Sequence, residues 1–312
     1  MQILQIFLGI VPFFLVVATG YGTAKSGFFS NEAIAWITKF VFYIALPAML
    51  FQFASGFTLT ELYDSQFFYA YLCATFALYI ATKITSLLRG VGWAEAAIEA
   101  QTATIGNVGF LGIPILVLLL GDYAVGPIIF YLALDLIIFG TLIVVSVKVS
   151  QEGKLTLNSL KKVLVGIATN PMVASIILGL FWGQFQLPLT QPGWQFVDLL
   201  SGAATPCALF VIGASLAAKS AERVFVAVWL SSIKLILHPL LIAICAFWVF
   251  DVDPLVGGVM VAAAAMPTAG NIYILAQHFG VAPARVSSTI LVSTAASVIT
   301  LSIAIALIQG VS

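Results

Sequence analysis

Two interruptions of an apolar pattern decide the fold of this chain. Residues 104–114 read TIGNVGFLGIP and residues 266–271 read MPTAGN, each within a long hydrophobic run. Proline removes a backbone donor and clashes with the preceding helical turn, and glycine weakens a helix further. Both stretches therefore predict helices that are broken near their midpoints, with Asn107 at one break and Asn271 at the other.

The composition is that of a membrane protein. Hydrophobic residues make up 62% of the 312 residues and charged residues only 8%, where soluble domains carry about 25%. The net charge is zero, which excludes the basic surface of a nucleic-acid-binding protein. The three cysteines are isolated, so the sequence predicts no disulfide framework, no metal site and no cofactor. The N-terminus lacks a basic region before its apolar run, so we expect no cleaved signal peptide.

The apolar runs predict a polytopic all-α fold. A helix that crosses the hydrocarbon layer needs about 20 apolar residues. Ten segments meet this requirement: 3–22, 33–54, 66–88, 96–119, 124–147, 163–183, 196–217, 224–249, 255–277 and 287–308.

Basic residues fix the orientation of these ten segments. Cytoplasmic loops are enriched in lysine and arginine. Eleven of the twelve basic residues fall on one side: Lys25, Lys39, Lys83, Arg89, Lys148, Lys154, Lys161, Lys162, Lys219, Arg223 and Arg285. The opposite side carries acidic residues only. The segregation predicts a multi-pass protein of the cell (inner) membrane with both termini extracytoplasmic.

Two short motifs recur in the two halves of the chain. PAMLF at 47–51 matches PCALF at 206–210, and TIGN at 104–107 matches TAGN at 268–271, at offsets of 159 and 164 residues. The repeat unit is therefore five helices, 1–150 and 151–312, and an odd number of crossings inverts the second copy. Inverted repeats with corresponding broken helices are typical of secondary transporters.

The breaks themselves are the predicted binding site. A half-helix N-terminus presents free N–H groups and a partial positive charge, which suits a carboxylate or another anion. The candidate residues at the two breaks are Gly106, Asn107, Gly109, Pro267, Thr268, Gly270 and Asn271. The alternative is that both stretches are kinks with packing glycines, which are common in membrane helices.

Two ionisable residues are predicted near the middle of the membrane. Asp135 lies in the fifth segment and Lys234 in the eighth, at similar depth, where a charge is costly and indicates function. They form either a structural charge pair or an ion-coupling site in which Asp135 binds a proton or Na⁺. We expect His238, one turn after Lys234, to be packed or hydrogen-bonded rather than a ligand. Glu99 is expected to reach cytoplasmic water.

Three motifs together resemble the auxin efflux carrier family, which includes the plant PIN-FORMED carriers and many bacterial permeases. They are YIALPAMLF at 43–51, GNVGFLGIP at 106–114 and KLILHP at 234–239, and the resemblance covers the whole chain. It implies two inverted five-helix repeats in which helices 4 and 9 cross at their breaks, as in bile-acid sodium symporters. It further implies a scaffold of helices 1, 2, 6 and 7, a transport domain of helices 3–5 and 8–10 that moves like an elevator, and a homodimer through the scaffold.

The predicted function is secondary transport of a small organic anion such as a carboxylate or an auxin-like acid. Phe51 and Gln52 of the second segment would add a wall to the site. The alternative is a Na⁺-coupled symporter or cation antiporter of the bile-acid symporter-like fold. An enzyme is not expected, because the sequence has no HExxH motif and Asp135 is the only mid-membrane aspartate. The expected partners are the anion, H⁺ or Na⁺, and membrane lipid.

Overall fold

The computed structural model describes residues 2–153, 161, 165–217 and 224–311, and these are helical with no strand among them. Within that part of the chain the extended structure is an isolated antiparallel bridge between Gly106 and Thr268. Four basic residues of the predicted cytoplasmic side lie outside the described residues: Lys154, Lys162, Lys219 and Arg223.

The described helices follow the predicted apolar segments closely. They are α1 (Gln2–Lys25), α2 (Asn31–Ala54), α3 (Leu59–Leu62), α4 (Ser65–Leu88), α5 (Trp93–Thr104), α6 (Val108–Leu120), α7 (Asp122–Gln151), α8 (Pro171–Gln184), α9 (Gln191–Ala217), α10 (Val224–Val249), α11 (Pro254–Ala264), α12 (Asn271–Phe279) and α13 (Pro283–Val311). Six of these, α2, α4, α7, α9, α10 and α13, are long and apolar enough to cross a membrane. The predicted fourth and ninth segments are each divided in two, as α5–α6 and α11–α12.

Wide π-turns occur inside several helices, and three of them have the same cause. The turns Val41–Ala45, Val108–Gly112 and Ile233–Leu237 each end two residues before a proline. The proline ring cannot fit against a regular preceding turn, so the turn widens. A further π-turn, Asp135–Phe139, begins at Asp135, and Lys234 lies in the Ile233–Leu237 turn. Such bulges are frequent at functional sites.

Very close helix packing joins α1 to α9 and α2 to α8. A Cβ atom built on Gly213 of α9 would lie 1.8 Å from the Val17 carbonyl oxygen of α1. A Cβ on Gly179 of α8 would lie 2.7 Å from the Phe51 carbonyl oxygen of α2. Only glycine allows backbones to come this near, and small residues serve the same purpose at membrane helix interfaces.

A buried ion network ties α4, α5 and α13 together. The Glu99 carboxylate is 1% exposed and accepts hydrogen bonds from Arg89, from Ser86 Oγ at 2.5 Å and from Arg285 Nη1 at 2.5 Å. Arg285 also contacts Glu95 at 2.8 Å. Glu99 therefore does not reach water as expected; Arg89, ten residues away in the sequence, and the distant Arg285 compensate the burial of its charge.

Candidate functional site

The two broken helices are joined at their breaks. The backbone N–H of Asn107 donates to the Pro267 carbonyl oxygen at 2.7 Å, and the N–H of Ala269 donates to the Ile105 carbonyl oxygen at 3.1 Å. These two bonds form a short antiparallel pairing centred on Gly106 and Thr268. Backbone groups released by the breaks thus satisfy each other, as they must where water is absent. We call this pairing the crossover.

The side chain of Thr268 fixes the register of the crossover. Its hydroxyl donates to the Thr102 carbonyl oxygen in the last turn of α5 at 2.9 Å. Its backbone N–H donates to Ser293 Oγ of α13 at 3.2 Å. Thr268 is 1% exposed, so both bonds are shielded from competition. Thr268 and Pro267 therefore build the crossover from within and do not line the cavity described below.

The N-terminus of α6 leaves its first donors without an intrahelical partner. Asn107 precedes the helix, and its carbonyl oxygen accepts from the N–H groups of Leu111 and Gly112 at 3.1 and 2.9 Å. No side chain caps this end, and the Asn107 amide has no hydrogen bond within the described part of the chain. Helix geometry leaves the N–H groups of Val108 and Gly109 free. This end of α6 is suited to an anion.

The second break is more open than the first. Gly270 precedes α12, again without a side-chain cap, and both Gly270 and Asn271 are exposed. Ala264, at the end of α11, and Met266 are fully buried. The crossover therefore has an enclosed side at Asn107 and an accessible side at Asn271.

A cavity of about 350 Å³ lies against the crossover. Five of the residues predicted to bind the anion line it, namely Gly106, Asn107, Gly109, Gly270 and Asn271, and so does the predicted ion-coupling residue Asp135. Its other polar lining residues are Gln101, Asp135 and Asn170, and the remainder is mostly apolar. Among the described lining residues there is no lysine or arginine. A pocket of this size with few polar groups is typical of a small-molecule site.

Asp135 is held at the cavity wall by a tyrosine. Tyr71 Oη of α4 donates to Asp135 Oδ1, and both side chains are buried. The second oxygen, Oδ2, is buried and has no hydrogen-bond partner within the described residues. A buried carboxylate oxygen without a hydrogen bond costs free energy, so a ligand donor or a proton would be stabilised at this position.

Lys234 lies behind the crossover, on the enclosed side. Its ammonium donates to the Ala264 carbonyl oxygen at the end of α11 and to His238 Nδ1 at 3.1 Å. A Cβ built on Gly106 would lie 3.2 Å from Lys234 Nζ. The positive charge therefore meets the negative end of α11, where a cation is favourable.

His238 continues this buried chain of polar groups. Because lysine can only donate, His238 Nδ1 accepts, and His238 Nε2 then donates to Thr75 Oγ1 at 3.2 Å. The expectation that His238 is packed and hydrogen-bonded is confirmed. No ion pair joins Lys234 to Asp135 in the described part of the structure, and each contacts different neighbours.

Phe51 and Gln52 lie away from the cavity. The Phe51 ring contacts the rings of Trp182 and Trp194, with centroids 5.8 and 6.3 Å apart. Gln52 Nε2 donates to Asp198 Oδ1 of α9 at 3.1 Å. Both side chains connect α2 to α8 and α9 and do not line the cavity.

Two polar residues that line the cavity, Gln101 and Asn170, were not predicted from the sequence. Gln101 lies in the buried part of α5, six residues before Asn107. Asn170 precedes Pro171 and caps α8, where its Oδ1 accepts from Met172 N at 2.9 Å. The signal for Gln101 was its polarity within an apolar run, whereas Asn170 has the sequence of an ordinary helix start.

Comparison with known proteins shows the family of this chain. The family model described as "Membrane transport protein" matches residues 5–305. A protein of Rhizobium meliloti (strain 1021) named "Putative malonate transporter" is 30% identical over 299 residues, which cover 93% of this chain and 92% of that protein. This chain therefore belongs to the membrane transport protein family, the auxin efflux carrier family of the resemblance above.

Proposed function

We propose that this protein is a secondary transporter that moves a small organic anion across the cell membrane. The observation that carries the proposal is the uncapped N-terminus of α6, where the Asn107 amide and free backbone N–H groups meet a cavity of about 350 Å³. These donors match a carboxylate, and the name of the Rhizobium meliloti relative specifies one, malonate.

The proposed architecture is ten membrane-spanning helices in two inverted repeats, residues 1–150 and 151–312. The scaffold comprises α1, α2, α8 and α9, which the close approaches at Gly213 and Gly179 support. The remaining helices form a transport domain, which the Glu99 network and the crossover support as one unit. Movement of this domain against the scaffold would give elevator-type alternating access.

The residues that line the cavity indicate the side of the membrane to which it opens. Beside the crossover, its lining comes from Gly140 and Val144 in the second half of α7 and from Ile274 and Leu275 in α12. These segments lead towards Lys148 and Arg285, the side that is rich in basic residues. In the proposed orientation, with both termini extracytoplasmic, this side is the cytoplasm, which supports an inward-facing state.

Asp135 and Lys234 are proposed to couple transport to an ion. Asp135 has a free oxygen at the cavity wall, while Lys234 holds a fixed positive charge against the crossover. A proton or Na⁺ at Asp135 would change the charge balance of the cavity without disturbing the contacts of Lys234. The separate surroundings of the two residues favour this division of roles over a direct charge pair.

The decisive variant for the proposed function is Asn107→Ala. In proteoliposomes it should lose most carboxylate transport, because the amide at the α6 N-terminus has no hydrogen bond among the described residues and is left to bind the cargo. Asn31→Ala is the matched control, since Asn31 is exposed at the start of α2. Equal thermal stability of both variants would show that Asn107→Ala folds. Carboxylate transport at the rate of the unmodified protein in Asn107→Ala would refute the site.

A further inference from the structure

Two residues that line the cavity, Gln101 and Asp135, each have a buried acceptor oxygen without a partner among the described residues. Gln101 Nε2 donates to the Phe139 carbonyl oxygen at 3.2 Å, which orients the amide and leaves Oε1 unpaired. Asp135 Oδ1 is bonded to Tyr71, which leaves Oδ2 unpaired. Gln101 is 3% exposed and Asp135 is 4% exposed. Buried acceptors are normally satisfied, so two on one cavity wall indicate a missing donor.

The donors and acceptors of the cavity are separated between different elements. The donors, the Asn107 amide and the free N–H groups, lie at the N-terminus of α6, whereas the free acceptors belong to Gln101 in α5 and Asp135 in α7. No basic side chain lines the described cavity to balance a second negative charge. A dianion would therefore place one of its carboxylates against Asp135, where like charges repel strongly at low dielectric.

We infer that the cavity selects a monoanion that carries a hydrogen-bond donor at its other end, and that it takes a short dicarboxylate in its singly protonated form. This inference rests on the proposed function and specifies its substrate class. The carboxylate binds at the α6 N-terminus, and the opposite COOH, amide or hydroxyl donates to Asp135 Oδ2 or Gln101 Oε1. A dicarboxylate thus brings its own proton into the membrane.

The groups around Asp135 leave it as an acceptor for such a cargo. Tyr71 of α4 donates to one carboxylate oxygen, and the Tyr131 ring packs on Tyr71 at 4.7 Å between centroids. Lys234 of α10 is the nearby cation, but it is bound to Ala264 and His238. None of these groups hydrogen-bonds to Oδ2 in the described structure.

Three related acids test the inference on the purified full-length protein by isothermal titration calorimetry. Malonamate has one carboxylate and an amide donor, and monomethyl malonate has one carboxylate and an ester without a donor. Malonamate should bind about tenfold or more tightly than monomethyl malonate, the magnitude of one hydrogen bond to a charged group. The affinity for malonate should fall as rising pH removes its second proton, while that for malonamate should not.

The variant Asp135→Asn tests the acceptor directly. It places an amide donor at the wall, so the preference for malonamate over monomethyl malonate should shrink or reverse. Asp122→Asn is the matched control, because Asp122 is exposed at the start of the same helix, and it should keep the preference. The ligand comparison on the unmodified protein stands even if Asp135→Asn does not fold.

The outcomes separate this inference from the proposed function. Equal binding of malonamate, monomethyl malonate and fully ionised malonate would overturn the inference and leave an anion transporter. Tightest binding of the dianion would also overturn it. Binding of none of these acids, together with no transport of any carboxylate, would instead contradict the proposed function on which it rests.

Discussion

Gly109, in the first turn of α6, is the site residue where a single added methyl group has the most specific consequence. A Cβ atom at this position would lie 2.8 Å from Met172 Cε of α8, and the next nearest atoms, in Leu132, would lie at 3.6 and 3.7 Å. Carbon atoms pack at about 3.5–4.0 Å, so Gly109→Ala forces the end of one side chain to retreat by about 1 Å. The backbone N–H proposed to bind the anion is kept.

The expected magnitude is small because methionine is flexible. Overpacking a core lowers the stability of the fold by about 1–3 kcal/mol. Because the end of the Met172 side chain can change rotamer, we expect Gly109→Ala to cost about 1 kcal/mol. This corresponds to a fall of about 2 °C in melting temperature. If α6 moves past α8 during transport, the same energy disfavours the observed state about fivefold relative to states in which the two residues are apart.

Thermal unfolding in detergent and transport in proteoliposomes measure these two effects. In the background of Met172→Ala, the substitution Gly109→Ala should no longer lower stability through the clash. The coupling energy between the two substitutions should therefore be about 1 kcal/mol. Gly270→Ala is the control at the other break, because its added Cβ would meet nothing within 4 Å. A loss in Gly109→Ala that Met172→Ala leaves unchanged would refute the packing argument.

Three further predictions concern the Glu99 network, the crossover and Asp135. Glu99→Gln should lower the free energy of unfolding by about 3 kcal/mol in thermal unfolding, because Arg285 stays buried after losing its buried carboxylate partner. Glu95→Gln, at a side chain that is 30% exposed, should cost about 1 kcal/mol or less. Equal losses in the two variants would contradict the network. Thr268→Val should destabilise by about 1–3 kcal/mol through the unpaired Thr102 carbonyl, and an unchanged melting temperature would argue against that bond. Asp135→Asn should abolish the dependence of transport on pH or Na⁺ in vesicles, and retained dependence would reduce Asp135 to a structural role.

The sequence was sufficient to locate the breaks but not to join them. Proline and glycine act locally, so 104–114 and 266–271 could be identified as interruptions from residue type alone. The pairing of Gly106 with Thr268 depends on contacts between residues more than 160 positions apart. No local pattern specifies such a register.

Side-chain direction explains the positions that sequence reasoning could not assign. Phe51 is the last residue of the PAMLF motif, but the rotation of α2 points it at Trp182 and Trp194. Glu99 lies near a predicted helix end, yet Arg285 from α13 folds over it and removes it from water. Both results depend on the packing of distant helices, which the spacing of residues along one helix does not determine.

The central claim, that the broken helix at Asn107 binds the carboxylate, has a direct test. Solid-state NMR on the protein in lipid, with ¹⁵N-labelled asparagine and an acid labelled with ¹³C at its carboxylate, measures the dipolar coupling between the two. A carboxylate bound at the α6 N-terminus should show a coupling to the Asn107 side-chain nitrogen at hydrogen-bonding distance, and this coupling should disappear in Asn107→Ala. A bound acid whose carboxylate carbon shows no coupling to Asn107 would contradict the central claim.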